Sequence, residues 1–183
     1  MKLKHIPNIL SVIRIFMIPA FVYFFFEYYD NLYLALAVFL LAGLTDIIDG
    51  YLARRNGWIT NVGKVLDPLA DKLLQCTVLI CLAVKEVTPY WFASMFIFKE
   101  AFMICGAFIT FKKIHFVVKS NWYGKATTAI FYFVMFLILI CKENLSSVVM
   151  WILLAVAVIS AIFSMIMYII DTLNINKEIK KIQ

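Results

Sequence analysis

Six long apolar stretches run through this chain, at roughly 7–27, 31–53, 65–84, 89–111, 123–141 and 146–170. A helix crosses the hydrocarbon core of a bilayer with about 20 mostly apolar residues, so each stretch is long enough to span it. Lipid offers no water to a backbone amide or carbonyl, which leaves helices and closed barrels as the only spanning structures. The alternating pattern of a barrel strand is absent. The sequence therefore predicts an all-α integral membrane protein with six transmembrane helices. Composition agrees: of 183 residues, 64% are hydrophobic and only 15% charged, unlike a soluble domain. The first stretch is expected to be retained, because it is long for a signal peptide, Arg14 interrupts it, and no small-residue cleavage site follows. Without a linker or low-complexity tract, residues 1–183 read as one membrane-embedded domain.

The net charge of +6 is distributed unevenly. With the N-terminus placed in the cytoplasm, that face carries twelve basic residues, among them Lys2, Lys4, Arg54, Arg55, Lys64, Lys119 and Lys125, against Lys85 and Lys142 outside. This bias predicts a multi-pass protein of a cell (inner) membrane with both termini cytoplasmic. For most of these lysines, topology and attraction to anionic lipid are sufficient explanation. The 174–183 tail reads as a basic amphipathic stretch on the inner leaflet. No nucleic-acid partner is expected. Cys76, Cys81, Cys105 and Cys141 all fall within spans and lack ligand spacing, so they read as packing residues.

Against this apolar background stands the run Asp46-x2-Asp49-Gly50-x2-Ala53-Arg54-x8-Gly63-x3-Asp67-x3-Asp71. Ionisable side chains at membrane depth are costly and mark functional sites. Asp46 and Asp49 share a helix face at i, i+3; Asp67 and Asp71 share one at i, i+4. Two antiparallel helices joined by a short loop can bring the four carboxylates together near the cytoplasmic boundary. Such a group needs a counter-charge. Mg2+ (or Mn2+) prefers oxygen ligands and bridges carboxylates to phosphates, and two such ions can clamp an in-line phosphoryl displacement. Gly50, Gly63 and the small Ala53 leave room for a ligand near the backbone, and Arg54 offers a fork suited to phosphate. Two other readings fit the same residues. Arg54, Arg55, Lys64 and Lys72 can pair the carboxylates structurally, and a small cation transporter can use them as an ion site, although transporters favour repeated halves and midplane sites.

The run resembles the signature of the CDP-alcohol phosphotransferase family, D-x2-D-G-x2-A-R-x8-G-x3-D-x3-D, at every fixed position, and the six-span layout resembles that family's bundle over the whole chain. The resemblance implies that Asp46, Asp49, Asp67 and Asp71 hold a pair of divalent ions and that Asp71 is the general base. It implies that Gly50, Ala53, Gly63 and Arg54 receive the cytidine nucleotide and its diphosphate. An alcohol would attack the phosphorus next to the lipid moiety of CDP-diacylglycerol, with CMP leaving, in a protein that is commonly a homodimer. Pro7-Asn8-Ile9-Leu10-Ser11-x2-Arg14, Gly63-Lys64-x-Leu66-Asp67-Pro68-Leu69-Ala70-Asp71-Lys72, Lys99-Glu100 and Gly124-Lys125 look like stretches of the family's phosphatidylglycerophosphate synthases. That points to glycerol-3-phosphate as acceptor, with Arg14, Lys99 and Lys125 as its contacts. Two departures favour the family's cardiolipin synthases, which use phosphatidylglycerol. The stretch 101–109 carries no base where many glycerophosphate enzymes have an arginine, and the lysine two residues after Lys125 is replaced by Thr127.

Overall fold

The computed structural model describes residues 6–58, 63–114, 122–141 and 145–182, with side chains for all of these except 6–7, 53–54, 64–65, 107–114 and 174–182. Six α-helices and no strand occur among the described residues: α1 (Ile6–Glu27), α2 (Tyr33–Asn56), α3 (Gly63–Val84), α4 (Tyr90–Ile114), α5 (Trp122–Cys141) and α6 (Ser147–Ile182). By length and apolarity α1, α2, α5 and α6 each suffice to cross a bilayer. The other two are of similar length but carry charge within their course, Asp67, Asp71 and Lys72 in α3 and Lys99 with Glu100 in α4.

Local chemistry sets the helix ends. Asn31 Oδ1 accepts from Tyr33 N at 3.3 Å and Ser146 Oγ accepts from Val149 N at 3.4 Å, side-chain caps on otherwise unsatisfied amides at the starts of α2 and α6. Gly57, at φ +66°, closes α2 in the left-handed region that glycine enters freely. Glu86 performs the same task after α3 at φ 56°. Val87 N reaches back to Leu82 O at 2.9 Å and Glu86 N to Ala83 O at 2.9 Å, the paired bonds of a Schellman stop made without glycine. Past residue 170, where a sixth span is expected to end, α6 continues because no Gly or Pro interrupts it.

The helices fall into two compact units. In the first, α1 packs on both α2 and α3. Its apolar core comprises Phe21 and Phe25 of α1, Phe39 of α2, and Leu74 and Val78 of α3, all fully buried. In the second, Phe96 of α4 meets Phe131 of α5 with ring centroids 5.4 Å apart. Thr127 Oγ1 donates across to Ser160 O of α6 at 3.0 Å, and Trp91 stacks on Trp151 at 6.4 Å. Gly106 lies against Tyr168, where an added Cβ would come within 3.0 Å of the phenol oxygen.

Candidate active site

The site belongs to the first unit and is built from α1, α2 and α3. The i, i+3 spacing puts Asp46 and Asp49 on one face of α2, and Asp67 follows four residues into α3. One carboxylate oxygen from each of Asp46, Asp49 and Asp67 lies within 4.8 Å of the other two. Oxygens on opposite sides of an octahedral Mg2+ lie about 4 Å apart, given bonds of roughly 2.0–2.1 Å. Asp49 Oδ1 is buried without a hydrogen-bond partner, a position a buried carboxylate oxygen rarely keeps unless an unseen ion or water meets it. The donor set and the orphaned oxygen fit a hard divalent cation.

A cation from α1 already stands in this group. Arg14 Nη1 lies 2.9 Å from Asp46 Oδ1 and 3.2 Å from Asp67 Oδ1, and Nη2 lies 2.5 Å from Asp49 Oδ2. The Arg14 side chain is 0% exposed and Asp49 2%, whereas Asp46 and Asp67 are 35% and 38% exposed. The cluster thus has a closed floor and an open rim. Ser11, one turn before Arg14 and also buried, donates to Asp67 Oδ1 at 3.3 Å. Ser11 and Arg14 of the PNILSVIR stretch in α1 therefore line one side of the carboxylate site. The sequence suggests Arg54, Arg55, Lys64 and Lys72 as counter-charges. Arg55 instead meets the Tyr51 hydroxyl at 3.2 Å, and the side chains of Arg54, Ala53 and Lys64 lie outside the described residues.

Asp71 lies outside the three-carboxylate group and has its own partners. Gln75, one turn further along α3, donates Nε2 to Asp71 Oδ2 at 2.8 Å and accepts from Lys72 Nζ at 3.3 Å. Lys72 Nζ is also 3.7 Å from Asp71 Oδ2. Asp71 and Gln75 are both buried. Gln75 is the site residue that the sequence signature, which stops at Asp71, leaves out; its i+4 spacing from an aspartate is the signal that marks it. Gly50 lies one residue beyond Asp49 in α2 and Gly63 opens α3, so both flank the cluster along the chain.

The remaining candidates belong to the second unit. Lys99 and Glu100 are both buried within α4, Nζ to Oε1 at 2.6 Å. Lys125 is exposed in the first turn of α5. Nearby, the Tyr123 hydroxyl donates to Asp171 Oδ2, tying α5 to α6.

Comparison with known proteins gives a consistent picture. The profile of a family described as CDP-alcohol phosphatidyltransferase matches residues 4–163. A Bacillus subtilis CDP-diacylglycerol–glycerol-3-phosphate 3-phosphatidyltransferase is 35% identical over 137 residues, 68% of this chain and 70% of its own length. A Streptomyces coelicolor cardiolipin synthase (CMP-forming) is 34% identical over 127 residues, 67% of this chain and 59% of its own length. A Schizosaccharomyces pombe cardiolipin synthase–hydrolase fusion protein is 40% identical over 99 residues, 54% of this chain but only 16% of that protein.

Proposed function

The chain belongs to the CDP-alcohol phosphatidyltransferase family, and from that premise we propose that it transfers the phosphatidyl group of CDP-diacylglycerol to glycerol-3-phosphate, giving phosphatidylglycerophosphate and CMP. The observation that carries this reading is the gathering of Asp46, Asp49 and Asp67 within 4.8 Å, at the spacing of the signature. These three carboxylates would hold a divalent ion, Mg2+ or Mn2+, with Asp71 beside a second. Bound there, such ions supply charge neutralisation for the diphosphate and for departing CMP.

The chain's own residues do the rest. Asp71, oriented by Gln75, takes the proton of the acceptor hydroxyl. The oxygen so released attacks the phosphorus bearing the diacylglycerol, and the bond to the CMP oxygen breaks. Gly50, Ala53 and Gly63 leave space for the nucleotide, and Arg54 meets its diphosphate. Arg14, Lys99 and Lys125 are the proposed acceptor contacts, since a phosphorylated acceptor is held best by charged donors. The protein works as a homodimer in a cell membrane, with its termini and its site on the cytoplasmic face.

A second reading has specific support. The relatives include cardiolipin synthases, and the base-free stretch 101–109 suits a less charged acceptor such as phosphatidylglycerol. CMP release by purified protein, with CDP-diacylglycerol, Mg2+ and each acceptor offered separately, decides between them. Release with glycerol-3-phosphate alone, lost in Asp71→Asn, supports the proposal. Release with phosphatidylglycerol alone replaces it by the second reading, and release with neither, from folded protein, sinks both.

A further inference from the structure

Arg14 of α1 reaches all three carboxylates of the cluster. A guanidinium is charged at any accessible pH, and a fully buried one cannot lean on water. Three ionised carboxylates and one guanidinium carry a formal net charge of −2, the complement of a single divalent ion. The oxygens that Arg14 engages are Asp46 Oδ1, Asp49 Oδ2 and Asp67 Oδ1, one from each residue of the cation-binding group. Within the same pocket Arg14 Nε and Asp49 Oδ1 both lack a hydrogen-bond partner. The guanidinium therefore satisfies the cluster incompletely, as a cation held in place by charge more than by a closed hydrogen-bond set.

We infer that Arg14 is the resident counter-ion of the carboxylate cluster: it keeps Asp46, Asp49 and Asp67 gathered when no divalent ion is bound, and it competes with that ion for the same three carboxylates. Arg14 thereby lowers the affinity for metal and limits the penalty of an empty site. This differs from an orienting role, in which Arg14 would hold the carboxylates for the ion and strengthen its binding. Part of the fork is released when the ion binds, which leaves a buried cationic donor beside the place where an anionic substrate must lie. The inference rests on reading the cluster as the divalent-metal site.

The test is a thermodynamic cycle in detergent: Mn2+ affinity by electron paramagnetic resonance of free Mn2+, and thermal unfolding with and without Mn2+. It uses the wild type, Arg14→Met and Arg14→Lys. Arg14→Met removes the charge at similar volume. It should bind Mn2+ at least about tenfold more tightly than wild type, given the strength of close like-charge repulsion in a poorly solvated site. Its metal-free form should melt lower than wild type, and Mn2+ should close most of that gap. Arg14→Lys keeps the charge but cannot span three carboxylates, so it should fall between the two; it carries the same test if Arg14→Met does not fold. Equal or weaker Mn2+ binding by the variants would overturn the inference in favour of an orienting role. A melting loss as large with Mn2+ as without would reduce Arg14 to a structural brace. Absence of Mn2+ binding by the wild type would remove the metal-site reading itself, together with the inference built on it.

Discussion

Replacing Gln75 by Met isolates the contact that orients Asp71. Met nearly conserves the volume of Gln, so the fully buried packing of Leu74 and Val78 on α3 is little disturbed. What is lost is the donor 2.8 Å from Asp71 Oδ2. A buried hydrogen bond to a charged group contributes about 1.5–3 kcal/mol. If all of it were expressed in the transition state, the rate would fall by roughly 10- to 150-fold, at about 1.4 kcal/mol per decade. Part of the bond also stabilises the ground state, so the expected fall in kcat is on the order of 4- to 50-fold. KM for CDP-diacylglycerol should stay within about threefold, because Gln75 is expected to meet the base and not the nucleotide. The assay is CMP release at saturating acceptor, with thermal unfolding to confirm an intact fold. Asp71→Asn serves as reference and should lose about 10²–10⁴ in kcat, the usual contribution of a general base. A Gln75→Met enzyme within twofold of wild-type kcat would refute the positioning role while leaving the base intact. An Asp71→Asn enzyme at wild-type rate would refute the base itself.

Other outcomes follow from the same geometry. Asp49→Asn removes the buried floor of the cluster and should abolish both CMP release and the Mn2+-dependent rise in melting temperature; retention of either would place the metal elsewhere. Lys99→Met should raise KM for glycerol-3-phosphate at least about tenfold, with KM for CDP-diacylglycerol unchanged, if the Lys99 ammonium meets the acceptor phosphate; equal changes in both would make it a purely structural charge. Glu86→Gly should stabilise the protein by up to about 1 kcal/mol, because glycine enters the left-handed region of the α3 stop without a Cβ penalty; a lower melting temperature would contradict this.

Hydrophobic length makes α1, α2, α5 and α6 legible in the sequence, α3 and α4 being interrupted by charge, and the helix ends shift where a cap or stop acts or is missing. α2 runs on to Asn56 until Gly57 turns it, and α6 runs on to Ile182 for want of a breaker. The convergence of Asp46, Asp49 and Asp67 is legible too, since i, i+3 spacing and a short connection dictate it. The partner of those carboxylates is not. Arg14 reads as an acceptor contact in sequence, while its carboxylate partners lie 35 residues away at Asp49 and 53 at Asp67. No local period reports how α1 is rotated against α2 and α3. Nor does spacing show that Asp71 is engaged by the side-chain amide of Gln75 one turn away, since it does not report which way a carboxylate turns.

The span between Arg14 and its partners has a consequence for how the protein is made. α1 leaves the ribosome before any of the three aspartates exists. An arginine within a lone spanning helix costs at most about 2.5–3.5 kcal/mol on insertion scales, the figure for the helix centre. At roughly 5–20 residues per second, Arg14 waits on the order of 2–10 s for Asp49 and Asp67. Until then α1 is expected to stay at the translocon or tilt its arginine toward the interface, with Asp46 and Asp49 of α2 and then Asp67 of α3 supplying a late inward pull. An arrest peptide placed behind α3 should register that late inward pull, and Arg14→Leu should move it earlier, to the emergence of α1 itself.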